Sequence, residues 1–297
     1  MKYIFLVLSL NAFVLQAQQL QIVSQYDQHR FLHNPAGAGI NGATNVGVTY
    51  RSQWSGISGA PVTQMVYGEK YFTKSRLGMG GYLYNDVTGP TKRTGLQYAI
   101  NYKLPLNEDE SKKIAFGMEV RGLQYSIDKA KLSQSLAGDP VLSGGSNLTR
   151  GDAGMGIYYS SNTLNVGVSA VQLIQSDLQF ASNISNAKER AHLYRHYYAN
   201  ADYTYNDGNT KVIPSLQMVY LPSSPTEVTA GVRLVHNEVF WWGFHGRIKQ
   251  GWMFNAGYIY KKKFSIGYAL DIYRTPLSVF SPGSTAHEVM LKYSFVK

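Results

Sequence analysis

GLQYAINYKL, residues 95–104, is the stretch whose reading decides the fold. Leu96, Tyr98, Ile100, Tyr102 and Leu104 alternate strictly with Gln97, Ala99, Asn101 and Lys103. Successive side chains of an extended chain point to opposite faces, so a strand built here has one greasy face and one wet face. The pattern recurs along the chain. Ile114, Phe116, Met118 and Val120 oppose Ala115, Gly117, Glu119 and Arg121, while Phe264, Ile266, Tyr268, Leu270 and Ile272 oppose Ser265, Gly267, Ala269 and Asp271. Turn chemistry interrupts it at intervals, giving about fourteen segments between residues 44 and 296. Among them are expected strands at 78–84, 94–104, 114–124 and 152–159.

Alternation alone fits two architectures. A soluble sandwich turns its apolar faces inward, and a membrane barrel turns them outward. Composition favours the barrel: charged residues are 15% of the chain, hydrophobic ones 44%, and there are 23 tyrosines and 29 glycines. Tyr71, Tyr82, Tyr84, Trp241, Trp242, Trp252, Tyr258, Tyr260 and Tyr293 crowd segment ends, as interfacial girdles require. The expected fold is therefore all-β: a transmembrane antiparallel barrel of about fourteen strands, with short periplasmic turns and longer outer loops. Tight connections such as TKSR, SSN, NDGN, HNE and KKK alternate with longer ones, including YNDVTGPTKR and the stretches near 126–150 and 172–193. LPSSPT and KQG are short where the rule expects length. This alternation puts both termini in the periplasm and Trp54 outside.

Lys2 followed by YIFLVLSLNAFVL and the small residue Ala17 has the form of an export signal, residues 1–17, cleaved after Ala17. The apolar run is too short to span about 30 Å of hydrocarbon, and no later stretch approaches about 18 apolar residues. A membrane crossing would then have to be made by a closed barrel. Residues 18–43 form an N-terminal segment expected at the periplasmic mouth or in the lumen, and 44–297 form the barrel. The destination is the outer membrane of a Gram-negative cell. The chain has no cysteine, which excludes disulfides and thiolate chemistry. Its net charge of +10 has no basic run longer than Lys261-Lys262-Lys263, so nucleic acid is not an expected partner.

Searching for chemistry returns little. His192 and His196, like His29 and His33, have metal-pair spacing without the accompanying glutamate. GDAGMGIYY lacks the Lys-Ser or Lys-Thr of a phosphate loop, and Glu108-Asp109-Glu110 reads as a solvated hairpin. No enzyme activity, catalytic residue, metal or cofactor is expected. The wet faces carry both charge signs, among them Arg51, Glu119, Arg121, Asp202, Arg233, Asp271 and Glu288, which suits a cross-lumen network better than a selective channel.

One tract fits no core. YRSQWSGISGAPVTQ, residues 50–64, puts a tryptophan among glycines. With SQY at 24–26, NPAGAG at 34–39, GYLYNDVTGPT at 81–91, RHYY at 195–198 and HEVMLKYSF at 287–295, it resembles the PorP/SprF family of outer-membrane proteins of the type IX secretion system. The resemblance implies a non-enzymatic barrel supporting type IX secretion. It implies attachment of secreted proteins such as adhesins to the cell surface, with a role in gliding motility. The implied partners are outer-membrane lipid, secreted cargo with C-terminal sorting domains, and the periplasmic secretion or motility machinery. A diffusion porin or a transporter of hydrophobic compounds is the alternative. Candidate partner-binding or loop-anchoring residues are Arg51, Gln53, Trp54, Pro61, Asn85, Asp86, Gly89 and Pro90, and Tyr26, Asn34 and Pro35 are candidates in the N-terminal segment. Trp54 suits either docking or barrel closure, and Arg51 is expected to hold its loop through Asp86.

Overall fold

The structure is a computed structural model describing residues 23–40, 42, 44–131, 147–178, 192–222, 224–274 and 285–295. The export signal, its cleavage point after Ala17, and most of the expected outer connections at 126–150, 172–193 and 274–285 lie outside the described residues.

Alternating residues become fifteen strand segments: β1 (Thr44–Gln53), β2 (Val62–Phe72), β3 (Leu77–Thr88), β4 (Thr91–Pro105), β5 (Lys113–Ile127), β6 (Asn147–Ser160), β7 (Leu164–Val171), β8 (His196–Tyr203), β9 (Tyr205–Asp207), β10 (Thr210–Tyr220), β11 (Glu227–His236), β12 (Phe240–Arg247), β13 (Gly251–Tyr260), β14 (Phe264–Tyr273) and β15 (Thr285–Phe295). β8 and β9 pair in turn with β10 across a break at Thr204, so they make one stave, and the barrel has fourteen. Each stave pairs antiparallel with its sequence neighbour. The ring closes where β1 meets β15 over ten residue pairs, from Thr44 opposite Phe295 to Gln53 opposite Ala286. Closure leaves no unpaired edge, the condition for backbone in hydrocarbon.

Which face points outward separates barrel from sandwich. Leu83, Met118, Val120, Phe240, Trp242 and Phe264 are all exposed on the outer surface, while Gln97, Asn101, Lys103, Glu119, Asp271 and Glu288 are buried inside. Polar residues in and apolar residues out is the inverse of a soluble core, and the lipid-facing band is therefore built into the strand period. No described helix is long and apolar enough to cross a membrane; the crossing is made by strands.

The tight connections TKSR, residues 73–76, and KKK, residues 261–263, share one end of the barrel, here called the turn end. The opposite, loop end carries residues 54–61. One expected loop is absent there. YNDVTGPTKR was expected as an outer connection, but β3 continues to Thr88 and β4 begins at Thr91, leaving Gly89-Pro90 as a two-residue hairpin. Gly89 has φ +55, which puts glycine at the first central position of the turn, where a positive φ matches the twist of the strands. Asn85 opposite Thr94 and Asp86 opposite Arg93 carry the ladder outward. The same extension lengthens β5 and β6, each of which overruns its expected end.

Candidate functional site: a filled lumen and a braced loop end

Fourteen staves enclose more space than their own inward side chains fill. The chain's N-terminal segment lies in that space. Residues 23–40 make three short 3-10 turns, at Tyr26–Gln28, Arg30–Leu32 and Pro35–Gly37, and run down the lumen from the loop-end third to the turn end. Val23, Phe31, Leu32 and Ala38 pack on inward-facing Met65, Tyr67 and Tyr82 to form an apolar cluster inside the barrel.

SQY seats the top of the segment. The Ser24 amide donates to Glu288 Oε2 at 2.8 Å, and the Gln25 amide and side chain both donate to Glu288 Oε1 at 3.3 Å. Tyr26 lies edge-on to His245 with its hydroxyl 3.3 Å from Ser215 Oγ. NPAGAG seats the bottom. Asn34 caps the last turn by accepting from the Ala36 amide at 3.0 Å, while its side-chain NH2 reaches the main-chain carbonyls of Ile157 and Val168 on adjacent staves, 3.1 Å each. Asn101 donates to the carbonyls of Pro35 and Ala38, both at 3.0 Å. Lys103 donates to the Gly39 carbonyl. The wall makes room with glycine: a Cβ at Gly117 would collide with the Ala36 backbone, and one at Gly156 with the Asn34 carboxamide. Ala36 and Ala38 are fully buried, so larger residues there would meet backbone.

Between the two motifs the contacts are ionic. Arg30 Nη2 lies 2.9 Å from Asp202, and Asp27 lies 3.0 Å from Arg233 Nε at an angle that falls short of a hydrogen bond. Burial raises the pKa of Asp27, but the guanidinium groups of Arg233 and Arg30 outweigh it and hold the carboxylate ionised. Burial, helped by the positive charge of Lys292, depresses His29 to about 3, although Asp27 opposes it. His33, stacked on Tyr198 with ring centroids 4.9 Å apart, is likewise depressed to about 3 by burial and by Arg121. Both imidazoles are therefore neutral.

Arg51 belongs to this interior, and its expected partner is corrected. The guanidinium makes a 2.7 Å ion pair with Asp271, donates to the Tyr273 hydroxyl at 2.8 Å, lies 3.5 Å from Glu288 and donates to Ser24 Oγ. It does not contact Asp86. That carboxylate accepts from Arg93 Nε at 3.0 Å and from the Thr63 hydroxyl at 2.6 Å, because in antiparallel register Thr63 and Arg93 flank it on the two neighbouring staves. Glu288 is Arg51's direct cross-strand partner only because the ring closes.

The loop end brings the other candidates together. The Gln53 amide donates to the Pro61 carbonyl at 2.9 Å, closing the loop at its base. Trp54, at φ +55, donates its amide to the Thr285 carbonyl at 2.7 Å and sets its ring edge-on to Tyr273, centroids 6.4 Å apart. Its indole N–H is buried without a hydrogen-bond partner. The Gly89 amide donates to the Gly59 carbonyl at 2.8 Å, so the hairpin turn braces the Trp54 loop, and the Pro90 carbonyl accepts from the Asp128 amide at 2.8 Å. Asn85 is less integrated: its side chain accepts only from the Thr94 hydroxyl, at 3.2 Å.

Asp202 is among the charges expected on the wet face, and His33 is expected only as half of a metal-pair spacing; Asp27, Arg30 and Asn101 carry no expected role. A usable signal was present, since the charges of DQHRFLH complement those on the inward faces of the strands. Among the described residues no group of three or more His, Cys, Asp and Glu side chains is arranged to hold a metal.

Three solved outer-membrane barrels share the architecture. An Acinetobacter baumannii outer membrane protein, Omp33, is similar at TM-score 0.50 and 9% identity, covering 86% of this chain and 99% of that one. A Pseudomonas aeruginosa FadL homologue is similar at TM-score 0.52 and 10% identity over 89% of this chain and 93% of that one. The Pseudomonas putida toluene transporter TodX is similar at TM-score 0.51 and 9% identity over 89% and 92%. At such identities the likeness extends to the fold alone. Among curated proteins none matches the chain. The sequence profile of the type IX secretion system membrane proteins PorP/SprF matches residues 15–293. With nearly every residue of the barrel inside that match, the chain belongs to the PorP/SprF family.

Proposed function

We propose that the protein is a sealed, non-enzymatic scaffold of type IX secretion. Its loop end faces the cell exterior and holds secreted proteins such as adhesins, by their C-terminal sorting domains, at the cell surface. Its turn end meets the periplasmic secretion or gliding-motility machinery. The observation that carries this reading is the filled lumen. Residues 23–40 are fixed to the wall by ion pairs, side-chain amides and an apolar cluster, which supports a closed interior. With transport removed from the interior, the rims remain as working surfaces. At the exterior one the Trp54 loop is preorganised by Gly89 and Thr285, which lowers the ordering cost of binding a partner.

The alternative reading, a diffusion porin or hydrophobic-compound transporter, needs the N-terminal segment to leave the lumen. Detergent extraction of the tagged protein from its own outer membrane, followed by affinity capture and mass spectrometry, tests the proposal. Co-isolation of secreted proteins carrying C-terminal sorting domains, together with periplasmic machinery, is the expected result. Capture without either class, combined with solute uptake that depends on the protein, would establish the transporter instead.

A further inference from the structure

Between β11, β12 and β13, near the loop end, the outer wall is indented by a groove of about 610 Å³. Its floor is small, at Ala230 and Gly246, and its sides are Phe244, Trp252 and Ile248. Phe244 and Trp252 stack with centroids 5.3 Å apart and planes at 16°, and the indole lies where a Cβ on Gly246 would go. Two cations stand at its upper edge, Lys249 and Arg274. Lys249 lies in the turn between β12 and β13 and Arg274 directly after β14, and the two segments meet through the Arg274 amide, which donates to the Gln250 carbonyl at 2.6 Å. Both side chains are exposed, and among the described residues no ion pair holds either. The nearby carboxylate of Glu227 accepts from the Gln250 side chain at 2.7 Å.

The height of this edge follows from strand length. β11, β12 and β13 have ten, eight and ten residues, close to the about 9–11 a tilted strand needs to cross hydrocarbon, whereas β4 and β5 have fifteen each and run well beyond it. Lys249 and Arg274 therefore sit at headgroup level with the aromatic groove directly below them in the acyl region. Cations above a membrane-facing aromatic groove match an amphiphile with an anionic head and apolar tails.

We propose that this groove is a binding site for one phosphorylated glycolipid of the outer leaflet. Lys249 and Arg274 bind its phosphate, and an acyl chain lies across Gly246 against Phe244 and Trp252. The choice of a glycolipid over a phospholipid rests on the orientation given above, with the loop end outside. The site does not depend on the cargo-holding role.

Native mass spectrometry of the full chain, extracted in mild detergent from its own outer membrane, tests this. The intact barrel should retain one phosphorylated glycolipid, and the double variant Lys249→Glu/Arg274→Glu should lose at least ten-fold of it. Gly246→Leu, which leaves both charges in place and fills the groove, should lose it as well. Both variants are checked for folding by heat-modifiable gel mobility. Purified barrel should rebind monophosphoryl lipid A in preference to phosphatidylglycerol by at least ten-fold. Equal retention by wild type and a folded charge variant, or no retained lipid in wild type, overturns the site. Preference for phosphatidylglycerol overturns both the glycolipid and the assumed orientation, while leaving the pull-down experiment independent.

Discussion

Arg51 joins three parts of the molecule that are far apart in sequence. It reaches β14 at Asp271 and Tyr273, β15 at Glu288, and the N-terminal segment at Ser24. Removing one member of a buried ionic group leaves its partners unpaired, at a cost of about 3–5 kcal/mol. Arg51→Met should therefore lower the urea midpoint of unfolding, followed by heat-modifiable mobility. Arg51→Met/Asp271→Asn should recover part of the loss, since it removes an orphaned charge; no recovery would mean that the guanidinium acts by packing alone. The sequence placed Arg51 on the wet face correctly. Its partner was not legible, because Asp271 and Glu288 come beside it only through a closure between the first and last staves, which alternation does not encode. Asp86, near in sequence and of the right charge, was the natural but mistaken choice.

His29 and His33 give the same interior a pH dependence. Docked, both have their pKa depressed to about 3 by burial; released into water, each returns to about 6.5. Above pH 6.5 both states are neutral and docking is unaffected. As pH falls below 6.5 the released segment takes up protons that the docked one cannot, so docking weakens by up to about 1.4 kcal/mol per histidine per unit, down to the docked pKa. Current through the reconstituted barrel should be quiet at pH 7.5 and show rising open events between pH 6 and pH 4. His29→Gln/His33→Gln should flatten that profile.

At the scale of the element, the N-terminal segment and the hairpin at Gly89-Pro90 divide what alternation can and cannot reveal. β14 lies where the alternation of Phe264 to Ile272 put it, because one face meets lipid and the other a polar interior over its whole length. β3 and β4 outrun the expected 78–84 and 94–104 because polar cross-strand pairs, Asp86 with Arg93 and Asn85 with Thr94, sustain a ladder where the greasy face has ended. The N-terminal segment has no period at all. Its docking is written in small residues: Ala36 and Ala38 on one side, Gly117 and Gly156 on the other. Deleting residues 23–40 should convert a silent barrel into one with large, stable, ohmic conductance in planar bilayers. If the intact chain already conducts at that level, the lumen is open in the membrane and the porin reading gains.

For the whole molecule, the proposed scaffold role moves function to the two rims, and Trp54 tests the outer one. Trp54→Ala should leave a heat-modifiable barrel in the membrane, because its backbone contacts to Thr285 and Ile57 do not need the side chain. Surface display of the bound cargo should fall several-fold. A variant that fails to assemble would make the indole a closure element, seated on Tyr273 at the top of β14. Normal assembly with normal display would exclude docking at this residue.

The seam between β1 and β15 also bears on the order in which the protein can be made. Arg51 on the first stave and Glu288 on the last are opposite each other at that seam, and Glu288 also grips the amides of Ser24 and Gln25. Ser24 precedes the first stave in the chain, whereas Glu288 lies on the stave that closes the ring against it. Until those two staves pair, Ser24 can have its contact with Arg51 on the first stave but lacks the complete socket of Arg51 and Glu288 together. The stroke that zips the last stave to the first then completes its socket. Closing the ring and completing the socket are thus one event, and a barrel closed with the stopper outside would leave Glu288 without the two amides it grips.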